Sequence, residues 1–175
     1  MTDFWHWSDA PSGDYAVVGD PVSHSLSPRI HAAAYQEHGL HLTYRAIQVR
    51  SGELAEAIDV LRGRGYKGLN VTVPLKTEAL DWCCRVEPEA ERMGAVNTLN
   101  LENGEGTNTD APGFLQTLGN LGISSGRVLI LGAGYCESPS CCLNQCRVRY
   151  FCVEPDTRKR RGDGGSDANI SSGSG

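Results

Sequence analysis

The sequence has no apolar run near the roughly 20 residues that a membrane-spanning helix needs. It has no basic excess either: 16 Lys+Arg stand against 21 Asp+Glu, a net charge of −5, so nucleic acid is not an expected partner. The opening residues Met1-Thr2-Asp3-Phe4-Trp5-His6-Trp7 hold an early acid and no apolar h-region, which argues against a secretory leader. Cysteine is scarce where the patterning is good. Only Cys83 and Cys84 precede Gly134, and two adjacent cysteines make no disulfide framework. These absences leave a cytoplasmic enzyme or small-molecule binding domain as the expectation, without membrane or nucleic acid as partner and with a homodimer left open. What is present, 39% hydrophobic and 21% charged residues, suits a globular chain.

Residues 1–14 have no period and read as a loose leader. Tyr15-Ala16-Val17-Val18-Gly19 is a short apolar run closed by Asp20-Pro21, a strand entering a turn. Ser27 before Pro28 reads as an N-cap with proline at the first helical position, and the helix runs to Gly39. Leu42 to Val49 forms the next strand. Ser51 is the expected cap of a helix with Leu54, Ala57, Ile58 and Leu61 on one face. Gly68 to Val73 is a third strand, followed by helices from about Lys76 and from Pro88 to Arg92. Val96 to Leu101 and Gly106 to Thr109 make a hairpin, and Pro112 opens a helix ending near Gly122. Strands alternating with helices at this spacing predict an α/β fold, a mostly parallel sheet flanked by helices, over residues 15–122. Residues 123–134 then read as the start of a Rossmann unit, a strand at Arg127–Leu131 running into Gly132-Ala133-Gly134.

Taken singly, the polar residues have plain explanations. Ser25 and Ser27 ahead of a helix are a turn residue and a cap, although a helix N-terminus with two hydroxyls also suits a carboxylate. Lys76 alone is a surface lysine. His24 and His31 lack metal-ligand spacing and read as structural.

The combination is more specific. Gly19-Asp20-Pro21-Val22-Ser23-His24-Ser25-Leu26-Ser27-Pro28, Asn70-Val71-Thr72-Val73-Pro74-Leu75-Lys76, Gly94-Ala95-Val96-Asn97-Thr98 and Asn108-Thr109-Asp110 occur in that order. Together they resemble the blocks of the shikimate dehydrogenase family, across about residues 15–134. The resemblance implies a substrate-binding domain and an NADP-dependent, reversible reduction of 3-dehydroshikimate to shikimate, a step of aromatic amino-acid and chorismate biosynthesis. It implies Lys76 as general acid/base with Asp110 as its partner. It further implies Ser25 and Ser27 on the substrate carboxylate, and Thr72 and Asn97 on the carboxylate and ring hydroxyls. Gly132, Ala133 and Gly134 would begin the NADP phosphate turn, and no metal is implied. The residue types suit such a ligand: short polar side chains converging on a hydroxyl-rich acid reject analogues that leave them unpaired. A lysine at a helix N-terminus has its ammonium disfavoured by the dipole, while a neighbouring Asp110 favours it. Quinate-using relatives share much of this signature.

The pattern breaks after Gly134. The third small position of the turn is Glu137, and Pro139 falls where the phosphate-binding helix should run. No later arginine is set to select a 2′-phosphate, and the family's C-terminal substrate-contacting blocks are absent. Residues 135–175 hold six Lys+Arg against five Asp+Glu, whereas residues 1–134 hold ten against sixteen. The last fourteen residues include nine Gly or Ser, the composition of a disordered tail. A reading-frame change or aberrant terminus is the expectation for 135–175, leaving the cofactor site incomplete and activity weak or absent. Cys136, Cys141, Cys142, Cys146 and Cys152 lack the paired spacing of structural zinc modules. Arg158-Lys159-Arg160-Arg161, flanked by acids, reads as a solvated run.

Overall fold

A computed structural model describes residues 4–122, 126–130 and 149–153. The chain divides into two compact units, Met1–Pro112 and Gly113–Gly175.

The first unit is built on a seven-stranded sheet of order β1-β3-β2-β4-β6-β7-β5. Its strands are β1 (Phe4–His6), β2 (Tyr15–Gly19), β3 (Tyr44–Gln48), β4 (Gly68–Val71), β5 (Arg85–Val86), β6 (Thr98–Asn100) and β7 (Glu105–Thr107). The β1–β3, β2–β3, β2–β4 and β5–β7 pairings are parallel, and β4–β6 and β6–β7 are antiparallel. The mostly parallel α/β sheet read from the sequence is therefore present, with the expected hairpin as β6 and β7.

Side chains alternate across each strand, so the two faces of the sheet bury different sets. Ala16, Val18, Ile47, Leu69, Val71 and Leu99 point to one face. There they meet Leu54, Ala57, Ile58 and Leu61 of α2 (Leu54–Gly63), Ala79 of α3 (Lys76–Trp82) and Ala90 of α4 (Pro88–Met93). Leu54, Ile58 and Leu61 are fully buried, and each contributes about 1.5–3 kcal/mol by leaving water. Val17 and Ala46 point the other way with Val22 and Tyr44, on the side taken by α1 (Ser27–Glu37). Gly39 lies just beyond α1 at φ +64, a left-handed conformation that glycine adopts without strain.

Several expectations are corrected. Residues 4–14 are not a loose leader: Phe4–His6 adds parallel to β3, and Ala10 is buried. Arg64 holds the segment by donating to the carbonyls of Trp7, Ser8 and Ala10 at 3.0, 2.6 and 2.6 Å. Tyr66 adds a bond to the Pro11 carbonyl at 2.9 Å. Ser51 does not cap α2. The helix begins at Leu54, and the Glu78 carboxylate of α3 accepts the N–H groups of Gly52 and Leu54, both at 2.9 Å. A neighbouring helix thus satisfies donors that a local hydroxyl was expected to meet. Ser27 makes no side-chain cap on α1 either: the helix already includes it, with Leu26 at the cap position.

Helix α5 (Asp110–Asn120) starts two residues before the expected Pro112. In the second unit, β8 (Gly126–Ile130) is the strand anticipated at the Rossmann start, but its neighbour is β9 (Arg149–Val153), paired antiparallel. A dinucleotide unit needs a parallel neighbour reached through a helical crossover. Strand β9 also corrects the reading of 135–175 as an unstructured tail, at residues 149–153. The rest of that segment, and Gly132, Ala133 and Gly134, lie outside the described residues.

Candidate functional site

The winding of the first unit marks where a ligand belongs. The chain passes from β2 through α1 to β3 on one side, then through α2 to β4 on the other side of β2. The loops leaving β2 and β4 lead to helices on opposite faces, and the carboxyl ends of strands at such a switch point frame a crevice. The first loop carries Ser25 and Ser27; the second carries Thr72 and ends at Lys76. The loops touch at their roots: Asp20 N–H donates to the Val73 carbonyl at 2.9 Å, and Thr72 N–H to the Val18 carbonyl at 2.9 Å. Gly19 is required there, because a Cβ on it would collide with the Thr72 methyl and lie 2.8 Å from the Val73 carbonyl oxygen. The antiparallel strand β6 brings Asn97 to the same end, its carbonyl accepting Val71 N–H at 2.7 Å.

Lys76, the first residue of α3, places Nζ 2.6 Å from Oδ2 of Asp110, the first residue of α5. The side chains are 26% and 51% exposed. An ion pair this open to water adds little stability, on the order of 0–1 kcal/mol, so its placement is not explained by folding. Asp110 is held from behind. Its N–H donates to Asn108 Oδ1 at 2.9 Å, and Asn108, almost wholly buried, donates Nδ2 to the Ala95 carbonyl at 2.9 Å. Lys76 is tied by its own carbonyl, which accepts Val96 N–H at 2.9 Å.

Asn97 is buried beside this pair with its amide oriented. Oδ1 accepts Thr109 N–H at 3.0 Å and the Thr98 hydroxyl at 2.9 Å, while Nδ2 donates to Thr109 Oγ1 at 2.9 Å. One amide proton is left over for a ligand. In the serine loop, Ser25 Oγ accepts Ser27 N–H at 3.3 Å, so the Ser25 hydroxyl proton remains free to donate. Lys76, Asp110 and Asn97 thus converge from three elements, and Ser25 and Ser27 stand together across the switch point with Thr72 against Gly19.

Residues to which the sequence assigned no role complete the arrangement. Asn108 and Thr109 precede Asp110 in the last of the four motif blocks; here they hold Asp110 and Asn97. Asn70 and Thr98 project from β4 and β6 on the α1 side of the sheet, with Asn70 Nδ2 donating to Thr98 Oγ1 at 3.2 Å. The Tyr44 hydroxyl donates to Asn70 Oδ1 at 2.6 Å. The available signal was a polar residue between Leu69 and Val71 in a strand otherwise apolar. A cavity of about 240 Å³ opens on this side, lined in part by Asn70, Thr98, Tyr15 and Lys67. Burial holds the Tyr44 phenol well above the ordinary tyrosine range, with Tyr35 adding to the rise and a Ser27 hydrogen bond pulling against it. His31 stacks on Tyr44 with ring centres 3.9 Å apart, and burial lowers its pKa.

The switch-point crevice of this α/β domain thus carries an amine–carboxylate pair, a buried amide and two serines. Residues 17–99 match the pattern described as the shikimate dehydrogenase substrate binding domain, and over that part the chain is similar to members of the shikimate dehydrogenase family. It is 48% identical over 126 residues to the Nitrosococcus oceani shikimate dehydrogenase (NADP(+)), an alignment covering 69% of this chain and 45% of that protein. The protein of that name from Moorella thermoacetica is 44% identical over 129 residues, covering 71% of this chain and 44% of its own length. Among solved structures, shikimate 5-dehydrogenase from Thermus thermophilus, in complex with NADP(H) and shikimate, is 45% identical. It superposes with a TM-score of 0.58 over 62% of this chain and 42% of that one. An Ael1 enzyme from Pseudomonas putida is 36% identical with a TM-score of 0.62, over 70% of this chain and 47% of its own. The chain spans a little under half the length of the relatives it matches.

The relatives' names include NADP(+), and the described residues of the second unit do not fit that group. The antiparallel β8–β9 pair is not the parallel neighbour that a dinucleotide turn requires. Among the described residues no helix is long and apolar enough to cross a membrane.

Proposed function

We propose that the first unit binds shikimate and 3-dehydroshikimate and carries the proton-transfer half of their interconversion. The observation that carries this reading is the 2.6 Å contact of Lys76 Nζ with Asp110 Oδ2, beside the oriented Asn97 amide. Reducing a ketone to an alcohol requires a hydride at carbon and a proton at oxygen. The hydride half belongs to a nicotinamide nucleotide, for which the described residues build no site. The proton half is what this domain supplies. The Lys76 ammonium donates to the carbonyl oxygen as it becomes a hydroxyl, and in the reverse direction the amine takes that proton back. Asp110 holds the amine in place and meets the same hydroxyl. Ser25 and Ser27 receive the carboxylate, and Thr72 and Asn97 bond the carboxylate and ring hydroxyls.

A non-catalytic shikimate-binding domain is the second reading, favoured by Glu137 and Pro139 in the phosphate turn and by the β8–β9 pairing. Calorimetric titration of the full chain with shikimate tests the ligand: saturable heat is expected, and its absence would remove both readings. Following NADPH oxidation with 3-dehydroshikimate separates them, with little or no turnover expected. Turnover abolished by Lys76→Ala would show that this chain does hold the cofactor. A parallel titration with quinate tests the choice between the two acids.

A further inference from the structure

Helix α1 carries its apolar stripe outward. None of its residues is buried, and Leu26, at its cap position, and Ile30 are 59% and 64% exposed. At about 100° per residue, Ser27, Pro28, His31 and Tyr35 share the side toward the sheet, and each is half-buried. Leu26, Ile30, Ala33 and Glu37 lie along the opposite side, with Arg29 beside them and Ala33 at the middle. Leu40 continues the stripe past the helix end. It is 49% exposed and held by its own N–H, which donates to the Tyr35 carbonyl at 2.8 Å.

The charges on α1 oppose its own dipole. Arg29 stands in the first turn and Glu37 is the last residue, whereas a helix favours acids at its start and bases at its end. Neither forms an ion pair among the described residues, so nothing described within the chain offsets that placement. A second copy of the helix, run antiparallel, does offset it. With a two-fold axis at Ala33, Arg29 and Glu37 lie four positions to either side, so each faces the other's counterpart and the ion pair forms twice. Leu26 and Leu40, seven positions to either side, meet in the same way, and Ile30 lies over the stem of Gln36. Ala33 meets its own copy, and its small side chain lets the two axes approach to about 8–10 Å.

We propose that α1 is the contact face of a homodimer, two copies of this chain docking antiparallel through Leu26, Ile30, Ala33 and Leu40 with crossed Arg29–Glu37 pairs. One helix from each copy makes a small interface, so the dimer is weak, with a Kd on the order of 100 µM. Sedimentation equilibrium of the full chain from about 10 µM to 1 mM should show the mass climbing from 18.9 kDa toward twice that value. Arg29→Glu and Glu37→Arg each set like charges face to face and should weaken association about tenfold. Each also brings the helix charge into line with its dipole, so both variants should melt no lower than the parent. Loss of association together with unchanged or raised stability separates a lost contact from a damaged fold. Combining Arg29→Glu with Glu37→Arg restores opposite charges across the axis and should recover most of the association. Ile30→Glu should abolish it and leave the fold intact, since that side chain is already in water. A chain that stays monomeric at about 1 mM would overturn the proposal and leave the stripe to some other partner. A dimer that ignores both single reversals, or a double variant no better than the singles, would overturn it equally.

Discussion

The two faces of the seven-stranded sheet are made from the same strands and do opposite work. On the face toward α2, α3 and α4, alternate residues are Ala16, Val18, Ile47, Leu69, Val71 and Leu99, and the packing is apolar throughout. On the face toward α1, the positions between them include Tyr44, Asn70 and Thr98, joined by directed hydrogen bonds. One face supplies cohesion and tolerates little loss of volume. The other contributes less to folding and positions groups at the crevice. Substitutions on the two faces should therefore separate stability from ligand binding.

Leu61→Ala should show the largest effect, about 2–5 kcal/mol lost in denaturant unfolding because a fully buried side chain leaves a cavity. Gly19→Ala comes next, at about 1–3 kcal/mol, since the new methyl must displace Thr72 and the Val73 carbonyl. It should also weaken shikimate binding, because the root of the serine loop moves. A third test uses pH. Burial, helped by Cys84, pushes the Cys83 thiol from 9.0 up to about 11. Between those values the unfolded chain loses a proton that the folded chain keeps. Stability from this group is therefore full below pH 9 and falls as pH rises toward 11, by about 1 kcal/mol after allowance for partial exposure. Cys83→Ala should flatten that part of the alkaline melting curve, leaving the later fall from Tyr44 and Tyr66, whose phenols burial also raises. Lys76→Ala should be smallest in stability, within about 1 kcal/mol of the parent, yet should cost roughly tenfold or more in shikimate affinity. A Lys76→Ala chain that melts far below the parent would blur the division between the faces.

Much of the first unit was legible because its signals are local. The apolar stripe of Leu54, Ala57, Ile58 and Leu61 defines α2, and Gly39 marks the end of α1. The Lys76–Asp110 pair followed only from the ordered motifs, since 34 positions separate the partners and no period links them. What escaped was non-local or too short. Phe4–His6 has three residues and no room to show alternation; it is a strand only because β3 offers an open edge. Arg85–Val86 is shorter still and takes its pairing from β7. Ser51 has the chemistry of a cap, but Glu78, distant in sequence, takes the donors it would have met. Thr109 and Asn70 could be seen as polar without any hint of whom they bond.

The carboxylate that closes the open end of α2 grows from the same helical turn as the amine of the crevice. Glu78 stands two residues beyond Lys76 and grips Gly52 and Leu54. Fraying at the start of one helix is therefore transmitted to the other without any movement of the sheet beneath them. The amide protons of Gly52 and Leu54, remote from any ligand, become a natural gauge of how firmly the lysine is seated, readable by their exchange with solvent.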